Sequence, residues 1–323
     1  MASVVMGMIN LLKPPGPTSH DMVNWIRRLL GIKRVGHLGT LDPGAAGVLP
    51  LCVGSATRLS EYMSEWDKQY RAEMLLGIKT DSQDLMGKII EINQKACQVT
   101  EAQIKNVLEQ MVGVYEQVPP MVSAVKHQGR RLYQLAREGK IVERKSRTVR
   151  IQKLKIQRIN YTSFMTMPNC PRVLFDITVS KGTYIRTLCA DVGEKLGCGG
   201  TMAFLVRTRC GPLTLERAWT CEEIEAAWNR ADMSFLLSPQ MGISDWPVWV
   251  VRPEALIGVE NGASLGSECF LNSEVKAVQP GTRGFLQMPG GELVAVGLMK
   301  ENQQGHLYCQ PEKVLVSRNA LIR

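Results

Sequence analysis

Apolar and polar positions recur along this 323-residue chain with two different periods. Residues 6–12 form a short apolar run stopped by KPPGPTS. Beyond it Met22, Val23, Ile26, Leu29 and Leu30 repeat at helical spacing, which predicts an amphipathic helix over about residues 20–30 with Ser19 as its cap. Residues 48–53 are continuously apolar and of strand length, and a short helix through Leu59 and Tyr62 follows. Tyr70, Ala72, Met74 and Leu76 share one face of a second strand, and Val173, Phe175, Ile177 and Val179 alternate cleanly with more polar neighbours. Helical spacing returns at residues 100–111, 183–196 and 221–231, and strand patterns at 149–159 and 204–209.

These elements lack the regular strand-helix-strand rhythm of a parallel sheet, so a mixed, largely antiparallel α+β sheet is expected. After Pro239 the texture changes to short apolar runs separated by NG, PG and GG turns. Residues 285–288 and 293–298 flank PGG and predict a β-hairpin within a small β-rich domain that starts near residue 247. The chain carries no internal repeat and no low-complexity tract.

Composition changes the picture in three places. With 45% hydrophobic and 21% charged residues the chain is an ordinary globular protein, and the lack of a leader-like or long uncharged apolar run points to the cytoplasm and away from a membrane. Nine scattered cysteines, never spaced as CxxC, read as reduced thiols; with four unpaired histidines they give no reason to expect a metal. The net charge of +9 is concentrated: residues 126–150 hold nine Lys or Arg against Glu138 and Glu143. Such a concentration suits a phosphate-rich partner, and without a long apolar face that partner is nucleic acid rather than lipid.

Two segments offer chemistry. VGHLGTLDPGAAGVLPLCVG, residues 35–54, sets the single carboxylate Asp42 in a glycine-rich turn between apolar runs. The same Asp-Pro-Gly also serves a plain turn, and both readings stand on spacing alone. SKGTYIRTL, residues 180–188, follows the cleanest strand and opens a helix, with Tyr184 and Arg186 at alternate positions. Its glycine and lysine are in the wrong order for a Walker loop, and no GxSxG elbow is present. Arg186 is either a surface ion pair or the orienting partner of a carboxylate.

Five stretches then agree in order with one family. KPPGPTSHD (13–21) resembles a KPxGxTS element, and GHLGTLDPGAAGVLPLCVG resembles a catalytic GHxGTLDPxAxGVLP motif. KQYRAEMLLGIKTDSQDLMG (68–87), QVPPMVSAVKHQGRRLYQLAREG (117–139) and VSKGTYIRTLCADVGEKLGCGGTMAFLVRTRCGPL (179–213) follow in register. Over essentially its whole length the chain resembles the bacterial TruB-type tRNA pseudouridine synthases. The resemblance implies an α+β fold: a mainly antiparallel catalytic domain over residues 1–246 with an inserted basic thumb at about 126–150, and a PUA-like RNA-binding domain over 247–323. It implies that Asp42 is the catalytic aspartate, that Arg186 pairs with it, and that Tyr70 and Tyr184 line the pocket of the flipped base. His37 matches the residue that fills the space the base leaves, Leu205 an apolar pocket residue, and Lys13 with Pro14 the support of the active-site loop. Arg130, Arg131 and Arg144 fall in the RNA-clamping thumb.

The implied reaction turns the uridine of the TΨC loop, position 55 of tRNA, into pseudouridine, and it needs no cofactor. Arg186 is expected to hold Asp42 ionised, since an opposite charge at close range lowers a carboxylate pKa. Tyr70 either mediates loss of the C5 proton or only stacks. The expected partner is the T arm of tRNA, with no obligate protein partner and a monomeric enzyme. Alternatives are a guide-RNA-dependent synthase of the archaeal or eukaryotic type, a tRNA-folding chaperone with secondary catalysis, and a non-catalytic RNA-binding module.

Overall fold

The computed structural model describes residues 5–316 apart from 124, 141, 273, 274 and 276. In chain order its first half comprises β1 (Gly7–Lys13), α1 (Ser19–Leu30), β2 (Val35–His37), β3 (Ala46–Val53), α2 (Ser60–Met63), β4 (Lys68–Leu76), β5 (Ile78–Thr80), β6 (Ile89–Ile92), α3 (Glu101–Gln110), β7 (Gly113–Gln117), β8 (Lys126–His127), β9 (Arg130–Arg131) and α4 (Leu132–Arg137). The second half continues with β10 (Arg147–Phe164), β11 (Met167–Val179), α5 (Ile185–Lys195), β12 (Gly200–Cys210), β13 (Leu213–Thr214), α6 (Cys221–Asn229), β14 (Leu236–Leu237), β15 (Val248–Val250), α7 (Leu256–Glu260), β16 (Arg283–Gln287), β17 (Leu293–Glu301) and β18 (Leu307–Val314).

Ten strands form one sheet in the order β14-β1-β3-β12-β4-β11-β10-β7, with β2 beside β3 and β13 beside β12. Every pairing in it is antiparallel except β3 with β12, where Arg207 faces Gly47. That parallel seam brings the chain after the Asp42 turn against the strand that carries Leu205 and Arg207. Gly47 sits at φ +110°, and a Cβ there would lie 2.3 Å from the Arg207 carbonyl oxygen, so only glycine lets the two backbones meet. The alternating apolar positions of β4 and β11 are buried in the main core, as their period of two requires.

Three expectations need adjustment. Thr18, not Ser19, caps α1: its hydroxyl accepts from the Asp21 amide at 3.1 Å while the Asp21 carboxylate accepts from the Thr18 amide at 2.8 Å. Strand β10 runs past residue 159, because its last five residues, NYTSF, pair with β11 without a regular apolar alternation to announce them. The basic segment 126–150 is two things: residues 126–137 form the β8–β9 hairpin and α4, whereas Arg147 and Arg150 lie in β10, paired with β7.

A second sheet, β15-β16-β17-β18, has its own core around Trp249, Leu286 and Val294 and contains the expected hairpin at PGG. It abuts the first sheet through Phe285, Val296 and Leu315 against Met8, Leu59 and Met63, and Lys313 pairs with Glu61 of α2 at 2.7 Å. All nine cysteines are free thiols, six of them buried. Among the described residues no helix is long and apolar enough to cross a membrane, and no group of three or more His, Cys, Asp or Glu is placed to hold a metal ion.

Candidate active site

Asp42 sits in the turn between β2 and β3, and the KPPGPTS element fixes that turn from beneath. Lys13, fully buried at the end of β1, donates from Nζ to the carbonyls of Pro14 at 3.0 Å, Pro43 at 3.2 Å and Ala45 at 2.8 Å. The Gly16 amide donates to the Pro43 carbonyl at 2.8 Å. Ser19 donates to the Leu41 carbonyl at 3.0 Å and accepts from the Leu41 amide at 2.8 Å. Arg207, 1% exposed, reaches from β12 to the Gly39 and Thr40 carbonyls at 3.1 and 3.5 Å and to the Val48 carbonyl at 2.7 Å. The inward-facing polar backbone of this partly exposed loop is thus satisfied by side chains from three elements, leaving the Asp42 carboxylate to face the cavity.

Arg186 enters from the first turn of α5 with 3% of its surface exposed. Its Nη2 lies 3.4 Å from Asp42 Oδ1, and its Nη1 lies 3.9 Å from Asp84 Oδ2. Nη2 also donates to the Val122 carbonyl, and the guanidinium carbon stands 5.8 Å from the centroid of the Tyr184 ring. Arg186 acts on Asp42 in the expected direction, but burial outweighs it. Loss of water around the carboxylate pushes its pKa up, and the nearby Asp84 charge adds to this; Arg186 and Lys13 pull it down but do not win. Arg186 therefore aims Asp42 without lowering its pKa below the ordinary carboxylate range.

Tyr70 on β4 faces Arg207 on β12. Burial pushes its hydroxyl up and outweighs the Arg207 charge, so it stays a neutral phenol. Burial acts the same way on Tyr184, and it pushes His37 down, which leaves a neutral imidazole. Asp42, Arg186, Tyr70, Tyr184, His37 and Leu205 line one cavity of about 510 Å3. A neighbouring cleft of about 790 Å3 shares His37 and Asp42 with it and continues to Arg131 and Tyr133 of the hairpin and α4. Lys13 is the one residue of the expected site, outside the thumb, that lies beneath the cavity and not in its wall.

The three thumb arginines separate. Arg131 is exposed and borders the cleft. Arg130 is exposed but pairs with Glu138. Arg144 is half-buried, and its Nη1 donates to the Pro119 carbonyl at 3.1 Å, across the base of the insertion. Two further residues were missed by sequence reasoning. Asp84 lies inside TDSQDLMG and Arg207 in the strand at 204–209, and neither was singled out from the sequence. The signal for Asp84 was available in principle: a guanidinium has five donors, so one carboxylate cannot satisfy it.

Comparison with known proteins adds independent weight. Residues 27–185 match the model of the TruB family pseudouridylate synthase N-terminal domain, and residues 186–239 match that of the tRNA pseudouridylate synthase B C-terminal domain. The tRNA pseudouridine synthase B of Moorella thermoacetica is 48% identical over 97% of this chain and all of its own length. That of Bacillus licheniformis is 40% identical over 97% of this chain and 98% of its own. Among solved structures, a Cbf5-Nop10-Gar1 complex aligns with a TM-score of 0.67 at 28% identity over 98% of this chain and 87% of the matched chain. An H/ACA RNP bound to a substrate RNA containing 2′-deoxyuridine aligns with a TM-score of 0.64 at 25% identity, over 97% of this chain and 86% of the other. The sequence matches of this chain span both family models, and its fold sets Asp42 of the β2–β3 turn beside Arg186 of α5: the chain belongs to the TruB family of pseudouridylate synthases.

Proposed function

We propose that this chain isomerises uridine to pseudouridine in tRNA, at the TΨC-loop uridine, position 55. The observation that carries the reading is the Asp42 carboxylate, held on a loop pinned by Lys13, Ser19 and Arg207, and standing 3.4 Å from a buried arginine in a cavity walled by two tyrosines. The relatives' names agree with it.

The reaction breaks the bond from C1′ to N1, turns the base, and joins C1′ to C5; a proton leaves C5 and one arrives at N1. No electrons are exchanged with a partner, so no cofactor is called for. Asp42 adds to the substrate or stabilises the positive charge that develops on the ribose, and either role needs it ionised. Arg186 holds the carboxylate in place, and Tyr70 and Tyr184 stack on the extruded base, offsetting the few kcal/mol that unstacking costs. As a neutral phenol Tyr70 is a better stacking partner than a base. His37 enters the vacated space in the RNA, and Leu205 closes the pocket's apolar side.

Residues 1–246 form the catalytic domain and residues 247–323 a PUA-like RNA-binding domain, of which 273, 274, 276 and 317–323 lie outside the described residues. Arg130, Arg131 and Arg144 belong to a thumb that grips the T arm. The enzyme acts as a monomer in the cytoplasm, without an obligate protein partner.

Tritium release from tRNA labelled at uridine C5 tests the reading. Release is expected from the parent chain, and neither from Asp42→Asn nor from tRNA with cytidine at the target position. A parent chain that binds tRNA yet releases nothing would leave a binding or folding-helper role in place of the enzyme.

A further inference from the structure

Tyr184 is the N-cap residue of α5, just before its first turn, yet its side chain makes no capping bond and faces the cavity. Helix starts leave backbone groups without partners, and something must fix where the first turn begins. Here that something comes from 67 positions away. Gln117, the last residue of β7 and 1% exposed, donates from Nε2 to the Tyr184 carbonyl at 3.0 Å and accepts at Oε1 from the Tyr184 amide at 2.8 Å. The two bonds fix the orientation of the amide, because swapping its ends would set donor against donor and acceptor against acceptor.

The grip extends along the same strand and helix. Tyr115, two residues earlier on β7, bonds the Asp191 carboxylate on α5. Five residues after Gln117, the Val122 carbonyl accepts from Arg186 Nη2. Strand β7 and its continuation therefore hold α5 at its start, at its middle, and at the guanidinium that its first turn carries. Arg186 lies two residues beyond the bidentate contact, and its 3.4 Å approach to Asp42 leaves little room for the helix to shift.

We propose that Gln117 is a positioning residue: by bonding both backbone groups of Tyr184 it sets the start of α5, and through it the places of Arg186 and the Tyr184 ring against Asp42. The inference rests on the reaction proposed above. Gln117 touches no substrate; it acts through Tyr184. A displacement of about 1 Å at a reacting group costs on the order of 100-fold in rate, so the effect belongs in the chemical step and not in tRNA affinity.

The test uses full-length protein and unmodified tRNA under single turnover, with Gln117→Met, which keeps the length of the side chain and loses both bonds, and Gln117→Glu, which keeps the acceptor. For Gln117→Met the pseudouridylation rate is expected to fall on the order of 10- to 100-fold with the tRNA dissociation constant changed by less than about twofold. Gln117→Glu regains a donor toward the Tyr184 carbonyl only when protonated, so its rate relative to the parent chain rises as pH is lowered. A merely weakened fold gives no rate loss without an affinity loss, and melting followed at each pH separates the rise from a recovery of the fold. Thermal melting checks that each variant folds; if Gln117→Met does not, Gln117→Glu and its pH ratio decide. A parent chain that makes no pseudouridine overturns the reaction itself. An active parent with a Gln117→Met variant equally fast, or a Gln117→Glu ratio flat with pH, overturns the inference alone.

Discussion

The Asp42 turn and the basic insertion are both loops between strands, and they are built on opposite principles. The turn is closed: its carbonyls are met by Lys13 and Arg207, its Leu41 amide and carbonyl by Ser19, and its far end threads against β12 where no Cβ fits. The hairpin and α4 are open: Arg130, Arg131, Gln128 and Gly129 do not enter the core, although Leu132 and Leu135 anchor them. A carboxylate that must meet a ribose at atomic distance needs the first kind of support. Cations that meet phosphates across a deformable surface need only to be present in number. If the proposed function holds, this contrast predicts that catalytic rate depends on the turn and tRNA affinity on the insertion.

The sharpest way to break the contrast is at Asp42. Asp42→Asn is expected to lower the rate by on the order of 10⁴-fold while tRNA binding persists. It should also change stability in a direction set by its pKa. The folded carboxyl titrates above its unfolded value, so the folded state holds the extra proton, and ionising it at neutral pH costs folding free energy. Asp42→Asn is therefore expected to melt higher than the parent at neutral pH, with the gain fading as pH falls below the range where the carboxylate ionises. A parent that melts higher than the variant at neutral pH would mean that Arg186 outweighs desolvation after all.

Gly47→Ala comes next, and it tests the support without touching the chemistry. The new methyl would meet the Arg207 backbone at a residue with φ +110°, and neither strand can retreat within the sheet. The loss is expected to reach about 3 kcal/mol or more, read as a fall in the denaturation midpoint. Asp84→Asn should follow with a smaller effect: the Arg186 guanidinium loses one of two carboxylates while Val122 and Asp42 remain, so the rate is expected to drop about tenfold with the fold intact.

The same contrast explains what could be read in the sequence. That Asp42, Arg186, Tyr70 and Tyr184 come together in one cavity was legible only through the resemblance of their contiguous motifs to one family, since spacing alone left the turn and ion-pair readings open. The strands β4 and β11 were legible because one face of each is buried and the other is not. Asp84 was not, because nothing local sets it apart from Asp81 in the same polar stretch, and only the approach of α5 brings it to Arg186. The buried place of Arg207 depends on a parallel pairing between strands more than 150 residues apart, which no local period encodes. The net direction of the Asp42 pKa was not legible for a related reason: sequence names the opposing charge but not how much water the walls remove.

Within the insertion, the arginines should part company. Arg131→Glu is expected to weaken tRNA binding by about 1 kcal/mol and to lower the slope of log affinity against log salt by about one. Arg144→Ala should leave the slope nearly unchanged, since its guanidinium serves the Pro119 carbonyl, and should instead loosen the base of the insertion. Titrations of both variants at several salt concentrations decide this; equal changes in slope would place Arg144 on the RNA.

The smallest expected effect is the one that sets the two loops side by side. Gly139 also has a positive φ, +71°, but nothing lies within 4 Å of the place a Cβ would occupy. Gly139→Ala therefore meets only the backbone strain of a left-handed residue, about 1 kcal/mol, with no steric clash to add. That strain falls where α4 ends, at the Gly139 amide bonded to the Ala136 carbonyl at 3.0 Å. Local opening there needs little of the core to move, so hydrogen exchange over residues 132–140 should quicken while the global midpoint stays near that of the parent. If Gly139→Ala instead lowers the global midpoint as far as Gly47→Ala does, the insertion and the Asp42 turn melt as one unit, and the separation of affinity from rate between them loses its physical basis.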